Sequence, residues 1–132
     1  MIVDSSAIVA IFLRETGAED LLSALVEADF AGIGSPTAAE TGLVLTTRLG
    51  HSATGYLLQF FGETGIEILP FTGLHWQRAI DAYARFGKGR HPAALNFGDC
   101  MTYATASLAR QPLLCRGSDF RKTDLDLVES NA

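Results

Sequence analysis

Short apolar runs alternate with longer helical patterns along this chain. That alternation predicts an α/β fold: a three-layer α/β/α sandwich around a short, mainly parallel sheet. Two further observations support it. The strand-like runs are almost wholly apolar, as strands are when helices cover both faces of a sheet. At 132 residues, 48% hydrophobic and 19% charged, the chain is sized for one domain, residues 1–132, with enough apolar material for a core.

Met1 to Val3 is an apolar β-type run that ends at Asp4. Ser5 or Ser6 is placed to cap a buried helix over Ala7 to Leu13, and Gly17 separates that helix from the next. From Ala18 to Ala28, Leu21, Leu22, Leu25 and Val26 recur at helical spacing on one side. Phe30 to Gly34 is a strand. Ser35-Pro-Thr starts a helix with Pro36 in its first turn; it runs through Glu40 to Leu49, and Gly50 ends it. Helices are predicted over Ser52 to Glu63, Leu74 to Phe86 and Phe97 to Leu108, and strands over Ile66 to Pro70 and Pro112 to Cys115. Gly87 to Ala94 is a basic Gly/Pro loop, and Leu125 to Val128 is a candidate last strand.

The formal net charge of −5 removes any global basic footprint for nucleic acid, although a local basic patch or a bound cation still supplies attraction. The two cysteines, Cys100 and Cys115, form no CxxC pair, which argues against a disulfide framework or a zinc site and fits a reducing cytoplasm. The N-terminal stretch lacks the basic region of a signal peptide, and no run approaches the ~18 apolar residues of a membrane span. A soluble, cytoplasmic protein is expected.

In open α/β sheets ligands bind beyond the carboxyl ends of the strands. Asp4 follows the first strand and Asp119 follows the strand ending at Cys115, while Glu40 and Asp99 sit in the first turns of helices. Each has an ordinary structural use. Asp4 and Asp99 suit helix caps, Glu40 suits a solvated face, and Asp119 suits a turn beside Gly117. Their surroundings weigh the other way, since Asp4, Glu40 and Asp99 are embedded in apolar sequence. A buried carboxylate must be paired, neutralised or bound to a metal, and few basic residues are at hand. Clustered carboxylates repel one another, and a hard divalent cation such as Mg²⁺ relieves the repulsion. Such an ion activates water and stabilises charge on a phosphodiester.

Three segments, MIVDSSAIVAIFLRE, GKGRHPAALNFGDCMTYATA and QPLLCRGSDFRKTDL, together resemble PIN-domain proteins, and in particular the VapC-type toxins of bacterial toxin–antitoxin pairs. The resemblance covers essentially the whole chain. It implies an α/β/α sandwich with Mg²⁺- or Mn²⁺-dependent endoribonuclease activity. Carried onto this chain, it implies that Asp4 and Asp99 anchor the metal and that Glu40 is a further ligand or orients the attacking water. Asp119 is the fourth candidate. Related toxins often carry an acid or Asn where this chain has Ser118, so Ser118 with a water and Asp119 itself both stand for that position. Ser6 matches a hydroxyl position that supports the first Asp. The products implied are a 5′-phosphate and a 3′-hydroxyl. The partners implied are a small VapB-type antitoxin, a second copy of the chain and RNA.

Lys88, Arg90 and His91, just before Asp99, read either as a solvated loop or as a patch for RNA phosphates, with Arg116, Arg121 and Lys122 extending it. The apolar faces of residues 18–28 and 52–63 exceed what one small sheet covers, which suggests a partner. Two rival readings remain: a PIN-like module that binds RNA or protein without cutting, and a phosphotransfer receiver domain. The receiver normally needs an early acidic doublet, whereas Asp4 stands alone.

Overall fold

The computed structural model describes residues 1–129. Among them the order is β1 (Ile2–Val3), α1 (Ser5–Phe12), α2 (Ala18–Glu27), β2 (Gly32–Gly34), α3 (Ser35–Leu49), α4 (Thr54–Thr64), β3 (Glu67–Leu69), α5 (Gly73–Phe86), α6 (Phe97–Ala109), β4 (Leu113–Leu114) and a 3-10 turn at Phe120–Lys122. The four strands form one sheet in the order β3-β2-β1-β4, and every pairing is parallel. Ile2 stands opposite both Gly32 and Leu113, so β1 is central.

Successive strand residues point to opposite faces, and the two cores follow from that. Val3, Ile33 and Leu114 join Ile8, Leu21, Leu25, Leu45, Leu57 and Phe61 on one face of the sheet. Ile2 and Leu113 join Ala82, Phe86, Leu95, Tyr103 and Ala104 on the other. Two-residue strands suffice because both sides of each are buried. The result is the predicted three-layer α/β/α sandwich.

Several boundaries differ from the sequence expectation. The cap of α1 is Asp4, whose side chain accepts from the Ser6 backbone N–H, and Ser5 already lies inside the helix. On α2 only Leu21 and Leu25 are buried, while Val26 is 65% exposed, so the apolar stripe is narrower than its spacing suggests. Helix α4 begins at Thr54, two residues later than expected, with the Thr54 N–H donating to the Ser52 hydroxyl just ahead of it. The expected strand at Leu125 to Val128 reduces to one bridge, Leu113 to Leu127, held by Leu113 N–H to Asp126 O and Val128 N–H to Leu113 O. No helix among the described residues is long and apolar enough to cross a membrane.

Candidate active site

Parallel strands put all their carboxyl ends at one edge. Helix α6 feeds β4 and so runs back against the sheet, which brings its N-terminus to that same edge. Asp4 leaves β1 there. Glu40 sits in the second turn of α3, which starts directly from β2. Asp99 is the third residue of α6, and Asp119 follows β4.

Asp4 is only 4% exposed. Its Oδ2 accepts from Ser6 N–H at 3.1 Å and its Oδ1 from the Thr102 hydroxyl at 2.8 Å. The Ser5 hydroxyl donates to Glu40 Oε1 at 3.0 Å. Asn96 and Asp99 form a capping box: Asp99 N–H donates to Asn96 Oδ1 at 2.9 Å and Asn96 N–H donates to Asp99 Oδ2 at 3.1 Å. The capping and cluster readings of Asp4 and Asp99 are therefore compatible, because the bonds that cap the helices also fix the carboxylates.

Electrostatics show that the acids share one field. Burial pushes the Asp99 carboxyl up to about 6 against the pull of its bond to Asn96, and the charges of Asp4, Glu40 and Asp119 add to the rise. Burial also raises Glu40; the Ser5 hydroxyl opposes the rise and the Asp4 charge reinforces it. Gly98 allows the close approach of α3 and α6. A Cβ there would fall within 3.0 Å of the Glu40 carboxyl carbon and both its oxygens. No Lys or Arg among the described residues forms an ion pair with these acids; the pairs present are Arg85–Asp124 and Arg116–Glu15.

The remaining candidates fall at different distances from this centre. Asp119 is exposed but its charge reaches Asp99, whereas Ser118 is simply exposed. The Ser6 hydroxyl does not hold Asp4; it accepts from Arg116 N–H at 2.9 Å and ties the segment after β4 to α1. The Arg116 guanidinium is turned away, bonded to Glu15 at 3.2 Å and to Thr16 O at 3.3 Å. Lys88 and Arg90 are exposed, on a loop closed by the Gly87 to Leu95 bridge. His91 Nδ1 accepts from Ala93 N–H at 3.0 Å and its ring packs edge-on against Phe86. None of these three is among the charges that perturb Glu40 or Asp99. Sequence reasoning offered Ser5 only as a helix cap and missed Asn96, Gly98 and Thr102 as parts of the site.

The donor set suits a hard cation. Burial pushes the Cys115 thiol up to about 12, with the Asp4 charge adding to it, which disfavours its thiolate form beside the carboxylates. Among the described residues no three His, Cys, Asp or Glu side chains stand close enough to cage an ion by themselves.

A family model described as the PIN domain matches residues 1–125. Ribonuclease VapC36 of Mycobacterium tuberculosis (strain ATCC 25618 / H37Rv) is 47% identical over 127 residues, covering 96% of this chain and 91% of that protein. Ribonuclease VapC of Mycolicibacterium smegmatis is 36% identical over 128 residues, with 97% and 99% coverage. Among solved structures, Mycobacterium tuberculosis VapC20, described as a Sarcin-Ricin loop cleaving toxin, superposes with a TM-score of 0.78 at 16% identity, covering 97% of this chain and 98% of that one. A toxin–antitoxin complex from Klebsiella pneumoniae gives 0.71 at 18% identity, with 96% and 95% coverage. At these identities the structural likenesses speak for the fold.

Proposed function

This chain belongs to the PIN-domain family, in its VapC group, and from that premise we propose that it is the toxin of a toxin–antitoxin pair, a Mg²⁺- or Mn²⁺-dependent endoribonuclease. The observation that carries the reading is the group of Asp4, Glu40 and Asp99, whose charges oppose one another with no basic side chain among the described residues paired to them. Relatives named ribonucleases at 47% and 36% identity support it.

In this reading Asp4 and Asp99 hold the cation, which supplies activation of water and stabilisation of charge on the phosphodiester. Glu40, kept in place by Ser5, orients the attacking water and takes its proton; its raised pKa brings it towards the range useful to a general base. Asp119 adds negative charge from the loop after β4. Lys88 and Arg90, with His91, contact RNA phosphates outside the acidic centre, and Arg116 braces the rim through Glu15.

The exposed apolar side chains Leu43 and Leu58 on α3 and α4, and Trp76, Ile80 and Phe97 on α5 and α6, support two protein partners, a small VapB-type antitoxin and a second copy. An RNA target fits action in the cytoplasm.

The test is an incubation of antitoxin-free protein with total RNA under Mg²⁺, Mn²⁺ or EDTA, followed by mapping of fragment ends. Discrete fragments with 5′-phosphates, absent in EDTA and restored by added metal, are expected. Tight RNA binding without products at any metal concentration would instead make the chain a binding module.

A further inference from the structure

Terminal torsions of carboxylates are broad, so an Asp does not define the plane of its own carboxyl group. At Asp4 two hydrogen bonds do so, one on each oxygen. One comes from the backbone of Ser6 and is part of the helix cap. The other comes from Thr102, which is 1% exposed and lies 98 residues away in the chain.

Thr102 has a second buried partner. Its Oγ1 lies 3.1 Å from Thr37 Oγ1, and Thr37 is 2% exposed. A hydroxyl has a single proton. Thr102 donates its proton to Asp4, so it must accept from Thr37. The direction of the chain is fixed: Thr37 donates to Thr102, and Thr102 donates to Asp4. Thr41 supports the start by bonding the Thr37 carbonyl at 2.7 Å.

Position on the helices gives this chain its meaning. Thr37 lies three residues before Glu40 on α3, and Thr102 three residues after Asp99 on α6. Residues so spaced share a helix face. The hydroxyl pair therefore joins, below the acids, the same two helices that carry two of them. Packing alone would be served as well by valine at either position, with no polar atoms to satisfy.

We propose that Thr102, backed by Thr37, is a positioning residue: its hydroxyl sets the Asp4 carboxylate for a divalent cation and couples α3 and α6 at the site. This rests on the metal-dependent reading above. Outer partners of metal ligands typically contribute about 10–100-fold in metal affinity.

The test is Mn²⁺ binding, read from the electron paramagnetic resonance signal of free Mn²⁺, on the full chain and four variants. All are checked for folding by circular dichroism and measured well below their melting temperatures. Thr102→Val is expected to bind roughly tenfold more weakly, and Thr102→Ser, which keeps the hydroxyl, within about twofold of the parent. Thr37→Val is expected to lose about threefold. The double valine variant is expected to bind no more weakly than Thr102→Val alone, because Thr37 acts through Thr102. Parent-like affinity in Thr102→Val overturns the inference and leaves the metal reading intact. Additive losses in the double variant overturn the relay. Should Thr102→Val fail to fold, unchanged affinity in folded Thr37→Val overturns the proposal. A parent chain that binds no Mn²⁺ overturns both this inference and the metal-dependent reading.

Discussion

Replacing Asp99 by asparagine removes a charge that burial disfavours and that Asp4, Glu40 and Asp119 further oppose. The rise of the carboxyl from its ordinary 3.8 to about 6 corresponds to about 3 kcal/mol at roughly 1.4 kcal/mol per pKa unit. Asp99 is only partly buried, and solvent screening reduces this to about 1.5 kcal/mol. Loss of a favourable negative charge at a helix N-terminus returns about 0.5 kcal/mol. The capping box survives, because the asparagine carbonyl accepts from Asn96 N–H as the carboxylate did. The net expectation near neutral pH is about 1 kcal/mol of added stability, or about 4 °C in melting temperature for a domain of this size.

The sign comes from linkage. The folded pKa is raised, so the cost of the ionised form is absent below 3.8, grows as pH climbs towards 6, and is complete above it. Thermal unfolding in metal-free buffer, followed by circular dichroism at about pH 7.5 and about pH 3.5, reads the effect. Asp99→Asn should melt higher than the parent at the first pH and alike at the second. Mg²⁺ should raise the parent far more than the variant, and RNA cleavage should be lost. A variant that melts lower near neutral pH, or whose gain persists undiminished in acid, would refute the reading that burial, reinforced by the neighbouring acids, makes the ionised Asp99 costly.

Other expectations concern the surroundings of the cluster. Gly98→Ala drives a methyl group into the Glu40 carboxylate, and the side chain must move. Cleavage should fall by about 10²-fold, with stability lowered by only about 1–2 kcal/mol, measured by single-turnover kinetics beside urea unfolding. Tyr103→Phe deletes a 2.6 Å donation to Asp124 from a tyrosine that is 2% exposed, and should cost about 1–2 kcal/mol. Although burial opposes it, Tyr103 and Arg85 together lower the Asp124 pKa, so the Tyr103→Phe deficit should be complete near neutral pH and shrink as acid protonates Asp124. Lys88→Ala with Arg90→Ala should weaken RNA binding evenly across sequences and reduce the slope of log affinity against log salt by about one to two; an unchanged slope would take the loop out of the interface.

Much of this arrangement was legible because it depends on local rules. Asp4 after an apolar run, Glu40 one turn beyond Ser35-Pro-Thr, and Asp99 after Asn-Phe-Gly each mark a strand end or helix start, and parallel topology then brings them to one edge. Gly50 ended α3 as expected, in a left-handed conformation (φ 80°). Strand lengths were less legible, since pairing is decided by partners distant in sequence: only Leu113 and Leu114 of Pro112 to Cys115 pair with β1 as a strand, and only Leu127 of the final run joins as a bridge. Thr37 and Thr102 were silent for the same reason, since 65 residues separate their hydroxyls. Arg116 was visible as a cation, but its pairing with Glu15 was not, because that contact spans 101 residues.

The central claim is that Asp4, Glu40 and Asp99 are one cation-dependent cutting centre. Its most direct measurement is cleavage of RNA by antitoxin-free protein with Mn²⁺, comparing the parent with Asp4→Asn, Glu40→Gln and Asp99→Asn, each confirmed as folded. The account predicts discrete fragments from the parent, and a loss in each single variant about as large as in the triple variant, since residues acting as a unit are not additive. Cleavage that survives in any folded single variant at the parent's rate, or that persists in EDTA, would contradict it.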